Sequence, residues 1–300
     1  MLDVGESLYQ YCRESRNKRK GATQMNFLLK KKKLLAIVLG LAGGGTGACI
    51  GELVTAQSEK GFFLMILSVS IWMAINSILI YFFLTWASEL YNRKPGFPSR
   101  LITPAIVSGG LAGLISGGIA ELVFCFNPAT NTLLKMLFQS GCWGIAGALL
   151  GWRISKKIPN MGILKGTVAG FSGGFIGGFI FLIGCIVLPE TIGRLIGIGI
   201  LGAALGLCIT LSDELFREAY LEILWGPNEK SIISIGSDPV YIGTGKDTIY
   251  VKGLREKEIT VKMTDGRIIC IQKDKHGEIE LRNNSQIKVG SIQIIIHANK

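Results

Sequence analysis

Residues 36–53 read AIVLGLAGGGTGACIGEL and residues 105–122 read AIVSGGLAGLISGGIAEL. A shift of 69 positions places Gly40 on Gly109, Gly44 on Gly113, Glu52 on Glu121 and Leu53 on Leu122. A third copy, Gly166 to Gly178, keeps the glycines and has no acid. Glycine at every fourth residue puts a strip without side chains along one helix face. In lipid there is little hydrophobic drive between helices, so association rests on the close approach that such strips allow. The repeat therefore predicts a packed membrane bundle with internal duplication. Its rows are Gly40-Gly44, Gly109-Gly113-Gly117 and Gly166-Gly170-Gly174-Gly178.

Outward from the repeat, composition agrees. The chain is 49% hydrophobic and 18% charged, and its 40 glycines are nearly twice the usual share. Charges are scarce between Leu34 and Leu211 and dense after Ser212. Six apolar stretches are long enough to cross a bilayer: 34–56, 62–86, 101–125, 136–153, 161–187 and 191–211. They read as three helical hairpins in a row. The second stretch, rich in Ile, Leu, Phe and Trp, is expected outermost against lipid.

Basic residues give the bundle a side. The leader, residues 1–33, carries nine Lys/Arg, and the joins after the second and fourth stretches add Arg93, Lys94, Arg100, Arg153, Lys156 and Lys157. The excess predicts that this side, with both termini, is cytoplasmic in a multi-pass membrane protein. Much of the net charge of +11 sits directly before the first apolar segment. Anionic lipid headgroups are thus the expected partner of the leader, and nucleic acid is not. The leader and the first apolar run are both too long for a secretory signal.

Glu52 and Glu121 are the acids within the repeat. At 1.5 Å per residue they lie about 27–30 Å along their helices, near the outer boundary. Two readings follow: interfacial caps, or an outer mouth that attracts cations or a ligand. Their equivalence by duplication lets them approach each other and share a proton or a cation.

From residue 212 the pattern changes. Ser212-Asp213-Glu214 is expected to cap a short amphipathic linker helix over 212–220. Short β segments follow at 221–225, 231–235, 240–242, 248–251, 258–263, 268–272, 278–281 and 291–297, separated by Gly, Pro and Asp turns. They predict a small all-β sandwich over 221–300 beside the polytopic α-helical membrane domain of 34–211.

The runs LEILWGPN (221–228), PVYIG (239–243), IYV (249–251) and IKVGSIQI (287–294) are similar to a forkhead-associated domain, over about residues 218–298. Members of that family bind phosphothreonine peptides. They use an Arg after the first-motif Gly and a Ser-Arg-x-His stretch. Here Thr244 follows Gly243, and Arg255, Glu256 and Glu258 fall at the Ser, Arg and His positions. The resemblance thus implies a degenerate member that docks a cytoplasmic protein or self-associates. Gly243, Thr244, Lys246 and Arg255 are its expected partner-binding loops, with Lys246 or Arg255 standing in for the missing Arg.

Catalytic patterns are missing. The two histidines, His276 and His297, have no nucleophile or metal partner nearby in sequence, and the seven cysteines are spread singly. No enzyme activity, metal or cofactor is expected. Two functions remain: a membrane scaffold or signalling protein that recruits a partner or forms a homo-oligomer, and an oligomeric channel regulated by the β domain.

Overall fold

The computed structural model describes residues 31–54, 61–126, 131–226, 229–244, 247–273, 278–290 and 292–298. Most of the basic leader, and Lys246 and His276, lie outside them. Among the described residues, six helices are long and apolar enough to cross a membrane. Span 1 is Lys31–Val54, span 2 Phe62–Tyr91, span 4 Thr132–Ser155, span 5 Ile163–Val187 and span 6 Glu190–Leu215. Span 3 is built in pieces: a 3-10 turn Ser99–Leu101, a helical turn Ile102–Pro104, a π-helical turn Ala105–Gly109 and an α-helix Gly110–Phe126.

The repeated glycines meet neighbouring helices, and each row faces the helix that precedes it around the bundle. A Cβ at Gly40 or Gly44 would strike the backbone of span 6 at Gly202 and Ile198. At Gly109, Gly113 and Gly117 it would strike span 2 at Ile78, Ala74 and Ser70. At Gly166, Gly170, Gly174 and Gly178 it would strike span 4 at Ser155, Gly147 and Trp143. Spans 4, 5 and 6 pack closely in series, whereas span 3 holds span 2 much more tightly than it holds span 4.

Span 2 is, with span 5, the least buried of the six described spans, 33% of its most apolar stretch being buried. It lies between spans 1 and 3, with Gly43 and Gly47 of span 1 against its Ile80 and Asn76. A small-residue row, Ser70, Ala74 and Ser77, receives the glycines of span 3. Bulky neighbours hide that row in the sequence.

The linker departs from expectation. Span 6 runs on through Ser212, Asp213 and Glu214 to Leu215, and the first strand begins at Ala219. No separate amphipathic helix forms, because Asp213 is claimed by a buried ion-pair network instead of a helix N-terminus.

Among the described residues the β region has nine strands: β1 Ala219–Gly226, β2 Glu229–Ile235, β3 Val240–Gly243, β4 Ile249–Tyr250, β5 Ile259–Thr264, β6 Arg267–Gln272, β7 Glu278–Leu281, β8 Gln286–Val289 and β9 Ile292–Ala298. They form one sheet of order β2-β1-β9-β8 and another of order β4-β3-β5-β6-β7. All pairs are antiparallel except β3 with β4. Leu221, Ile223, Ile294 and Ile296 from the first sheet share one apolar cluster with Val240, Ile242, Val261 and Cys270 from the second. Period-two alternation turns Tyr220 and Glu222 to the other face. β8 is an addition to the sequence reading; four residues joined to β9 through Gly290, at φ 56°, give little periodic signal.

Candidate functional site

Two places gather chemistry, one at each end of the bundle. The proximal end carries the β region. Asp213, on the last turn of span 6, is 4% exposed. Its Oδ2 accepts from Lys32 Nζ at 2.6 Å and from Arg217 Nη2 at 3.1 Å, and its Oδ1 accepts from Ser234 Oγ on β2 at 2.9 Å. Arg217 Nε donates to the same Ser234 Oγ. An acid at a helix C-terminus opposes the helix dipole. Pairing Asp213 of span 6 with Lys32 of span 1 offsets that cost, and Lys33 with Glu214 repeats the arrangement.

β2 is an edge strand, and the bundle covers its edge. The Ile232 N–H donates to Tyr91 Oη at 2.9 Å. Asn160, in the join between spans 4 and 5, donates from Nδ2 to the carbonyls of Ser234 and Asp238 and accepts the Asp238 N–H at 2.8 Å. Arg93 pairs with Glu229 and lies over the Trp225 ring. Such cover removes an edge that would otherwise template pairing with another chain. Burial lowers the pKa of Lys94, nearby in the same join as Arg93, against the opposing pull of Glu89; Asp247 of the β3–β4 loop also acts on it.

At the loops singled out by the family resemblance, the described residues around Gly243 pack against one another, and Lys246 lies outside them. A Cβ at Gly243 would strike the Arg255 carbonyl and the Asp247 carboxylate. Asp247, 3% exposed, accepts the Lys257 N–H at 2.7 Å. Gly243 thus makes room for a carboxylate that ties two loops together, with Thr244 and Arg255 at their margin. Asp247 had no signal in the sequence beyond its turn position.

The distal end is hollow. Met65, Trp72, Glu121, Gln139, Trp143, Phe181 and Arg194, from spans 2 to 6, line a cavity of about 780 Å³. Trp143 packs edge-to-face on Trp72 at 6.0 Å and on Phe181 at 5.7 Å. At 1.5 Å per residue, both tryptophans lie roughly 15 Å from the distal helix ends. The proximal half is filled instead, by Ile80, Tyr81, Leu84, Leu150, Ile154 and Leu205.

The two duplicated acids have different partners here. Glu52 accepts from Trp72 Nε1 at 3.2 Å and from Arg194 Nη1 at 3.3 Å. Glu121 lines the cavity and meets Cys125 Sγ at 3.7 Å. Arg194, read in the sequence only as a topology charge, joins Glu52 to the cavity wall.

Comparison with protein-family models, curated proteins and solved structures gives no match to this chain. Fold and sites define an integral membrane protein: a six-helix membrane-spanning bundle with a separate β-strand region on its basic end.

Proposed function

We propose that this chain is a non-catalytic membrane scaffold or signalling protein, set in the membrane as three repeated hairpins with both termini cytoplasmic. Its β region acts as a degenerate, forkhead-associated-like sandwich that docks a protein partner or self-associates. One observation carries the reading: the Asp213 network and the covered β2 edge fix this region on a bundle whose adjoining half is filled with side chains. A rigid platform suits recruitment, and the filled half favours an anchor over a conduit. The Lys/Arg excess on the same end supports the cytoplasmic assignment. Asp247 occupies the ground between Gly243 and Lys257, so phosphate recognition is not proposed.

Two measurements test it. The full chain in liposomes is expected to carry no ion current. A current whose selectivity changes with E52Q/E121Q would establish the pore instead. A photo-crosslinking residue placed at Arg255 of the full chain in cells is expected to give one discrete adduct, with a partner or with a second copy. No adduct there would remove the docking role.

A further inference from the structure

The distal cavity has a floor. Ile80, Tyr81, Leu150 and Ile154 fill the bundle on its proximal side, so the space is a pocket and not a passage. Its volume of about 780 Å³ is in the range of sites that enclose a drug-sized molecule. Met65, Trp72, Trp143 and Phe181 make its walls largely apolar, with Glu121 and Gln139 set among them. The charges of these walls do not cancel. Arg194 lines the cavity, but Glu52 holds its guanidinium at 3.3 and 3.4 Å and also accepts the Trp72 indole N–H. That cation is answered. Glu121 is not: it meets the Cys125 thiol at 3.7 Å, and among the described residues no lysine or arginine pairs with it. Lys135, on the first turn of span 4, is exposed and lies outside the wall. Among the described residues the cavity therefore carries one unbalanced negative charge beside three aromatic rings.

Simpler occupants each fail on one of these features. A lipid tail suits the rings but leaves Glu121 out of water without a counter-charge. A small inorganic cation suits Glu121 but needs roughly six oxygen ligands, and no group of three or more His, Cys, Asp or Glu gathers among the described residues. We propose that the distal cavity binds an apolar organic cation. Its positive centre pairs with Glu121. Its hydrocarbon groups pack on Trp72, Trp143 and Phe181, whose ring faces carry the negative side of the quadrupole and so favour a cation over an anion of the same shape. The Met65 thioether adds an adaptable contact on the same wall. This site goes beyond the scaffold reading and stands or falls separately from it.

The test compares two probes of the same shape and opposite charge, tetraphenylphosphonium and tetraphenylborate. Saturable binding of each is measured on the full chain in nanodiscs of zwitterionic lipid, with empty nanodiscs subtracted. The phosphonium is expected to bind saturably, and the borate roughly tenfold more weakly or not at all. Glu121→Gln keeps the shape of the side chain and removes its charge. It should weaken the phosphonium roughly tenfold and leave the borate no weaker. Ser68→Trp fills the cavity from span 2 with the acid in place and should abolish saturable binding. No saturable phosphonium binding, as in a cavity that holds only water, overturns the proposal. So does equal affinity for the two probes, or an unchanged phosphonium affinity in Glu121→Gln. Wild-type binding by a folded Ser68→Trp protein would also overturn it, by placing the probe elsewhere. Glu121→Gln adds no bulk, so its result decides even where the Ser68 variant fails to fold.

Discussion

Spans 4 and 5 meet backbone to backbone, at Gly147 and Gly151 against Gly166 and Gly170, whereas the two sheets of the β region meet through Ile, Val and Leu side chains. The solvents explain the contrast. Lipid tails are as apolar as leucine, so a helix gains little by burying large side chains and more by approaching closely. In water, each fully buried aliphatic side chain contributes roughly 1.5–3 kcal/mol. The bundle should therefore be most damaged by added atoms, and the β region by removed ones.

The largest effect is expected at Gly170, where a Cβ already overlaps the Gly147 carbonyl. Gly170→Leu must separate spans 4 and 5 along their whole contact. Its cost should exceed the ~4–5 kcal/mol that ordinary substitutions reach. Loss of the monodisperse peak in detergent gel filtration measures it. Gly45 is the control, since nothing lies within 4 Å of a Cβ there. Gly45→Ala should be stabilising by roughly 0.5–1 kcal/mol through helix propensity. If both substitutions behave alike, the contrast between the two regions fails.

Next comes Asp213, at the boundary between them. Asp213→Asn leaves Lys32 and Arg217 facing each other without an anion. Breaking a buried ion pair from one side costs about 3–5 kcal/mol. The loss should fall on the docking of the β region, with the bundle intact. The Arg217 side chain is only 5% exposed in the docked state, so faster trypsin cleavage after Arg217 reports undocking. Unchanged cleavage would mean that Tyr91 and Asn160 hold the β region without the ionic network.

A third substitution removes atoms. Ile242 is fully buried between the sheets, and Ile242→Ala should cost about 2–5 kcal/mol through lost transfer energy and the cavity left behind. Cys270 gives the readout. Burial pushes its thiol up to about 11, so alkylation near neutral pH tracks opening of the β core. Faster alkylation with an unchanged gel-filtration profile is expected. Disruption of both together would make the chain one cooperative unit.

The sequence showed whatever depends on period and solvent: six apolar stretches, the glycine rows, and eight of the nine strands. It hid contacts that depend on a distant partner. Ser70, Ala74 and Ser77 look unremarkable among Phe, Leu and Trp until the glycines of span 3 land on them. Asp213 reads locally as a cap, because Lys32 lies 181 positions away. Duplication suggested that Glu52 and Glu121 behave alike, yet Arg194 has no counterpart in the repeat and pairs with Glu52. Equivalence in a repeat carries over backbone position more securely than partner choice.

The smallest expected effect concerns pH, and it separates the outer face of the first sheet from its core. Glu222 accepts from His297 Nε2 at 2.9 Å and from Lys230 Nζ at 2.7 Å, while His297 stacks on Tyr220 at 4.7 Å. The His297 hydrogen bond is the main force holding the Glu222 carboxyl below its ordinary value of 4.5; burial opposes it and Lys230 adds to it. A carboxyl with a lower pKa in the folded state contributes stability that is complete above its unfolded value. That contribution is lost as pH falls through the folded value. Between pH 7 and 5 the Glu222 contribution should therefore stay flat, and the decline begins only below about 4.5. Glu222→Gln should remove this acid limb and leave the Cys270 alkylation rate at neutral pH nearly unchanged, because the Glu222 side chain points away from the aliphatic core. If the variant accelerates Cys270 alkylation as much as Ile242→Ala does, the sheet is held as much by its outer polar face as by its core, and the division between side-chain packing in water and backbone packing in lipid needs a third term.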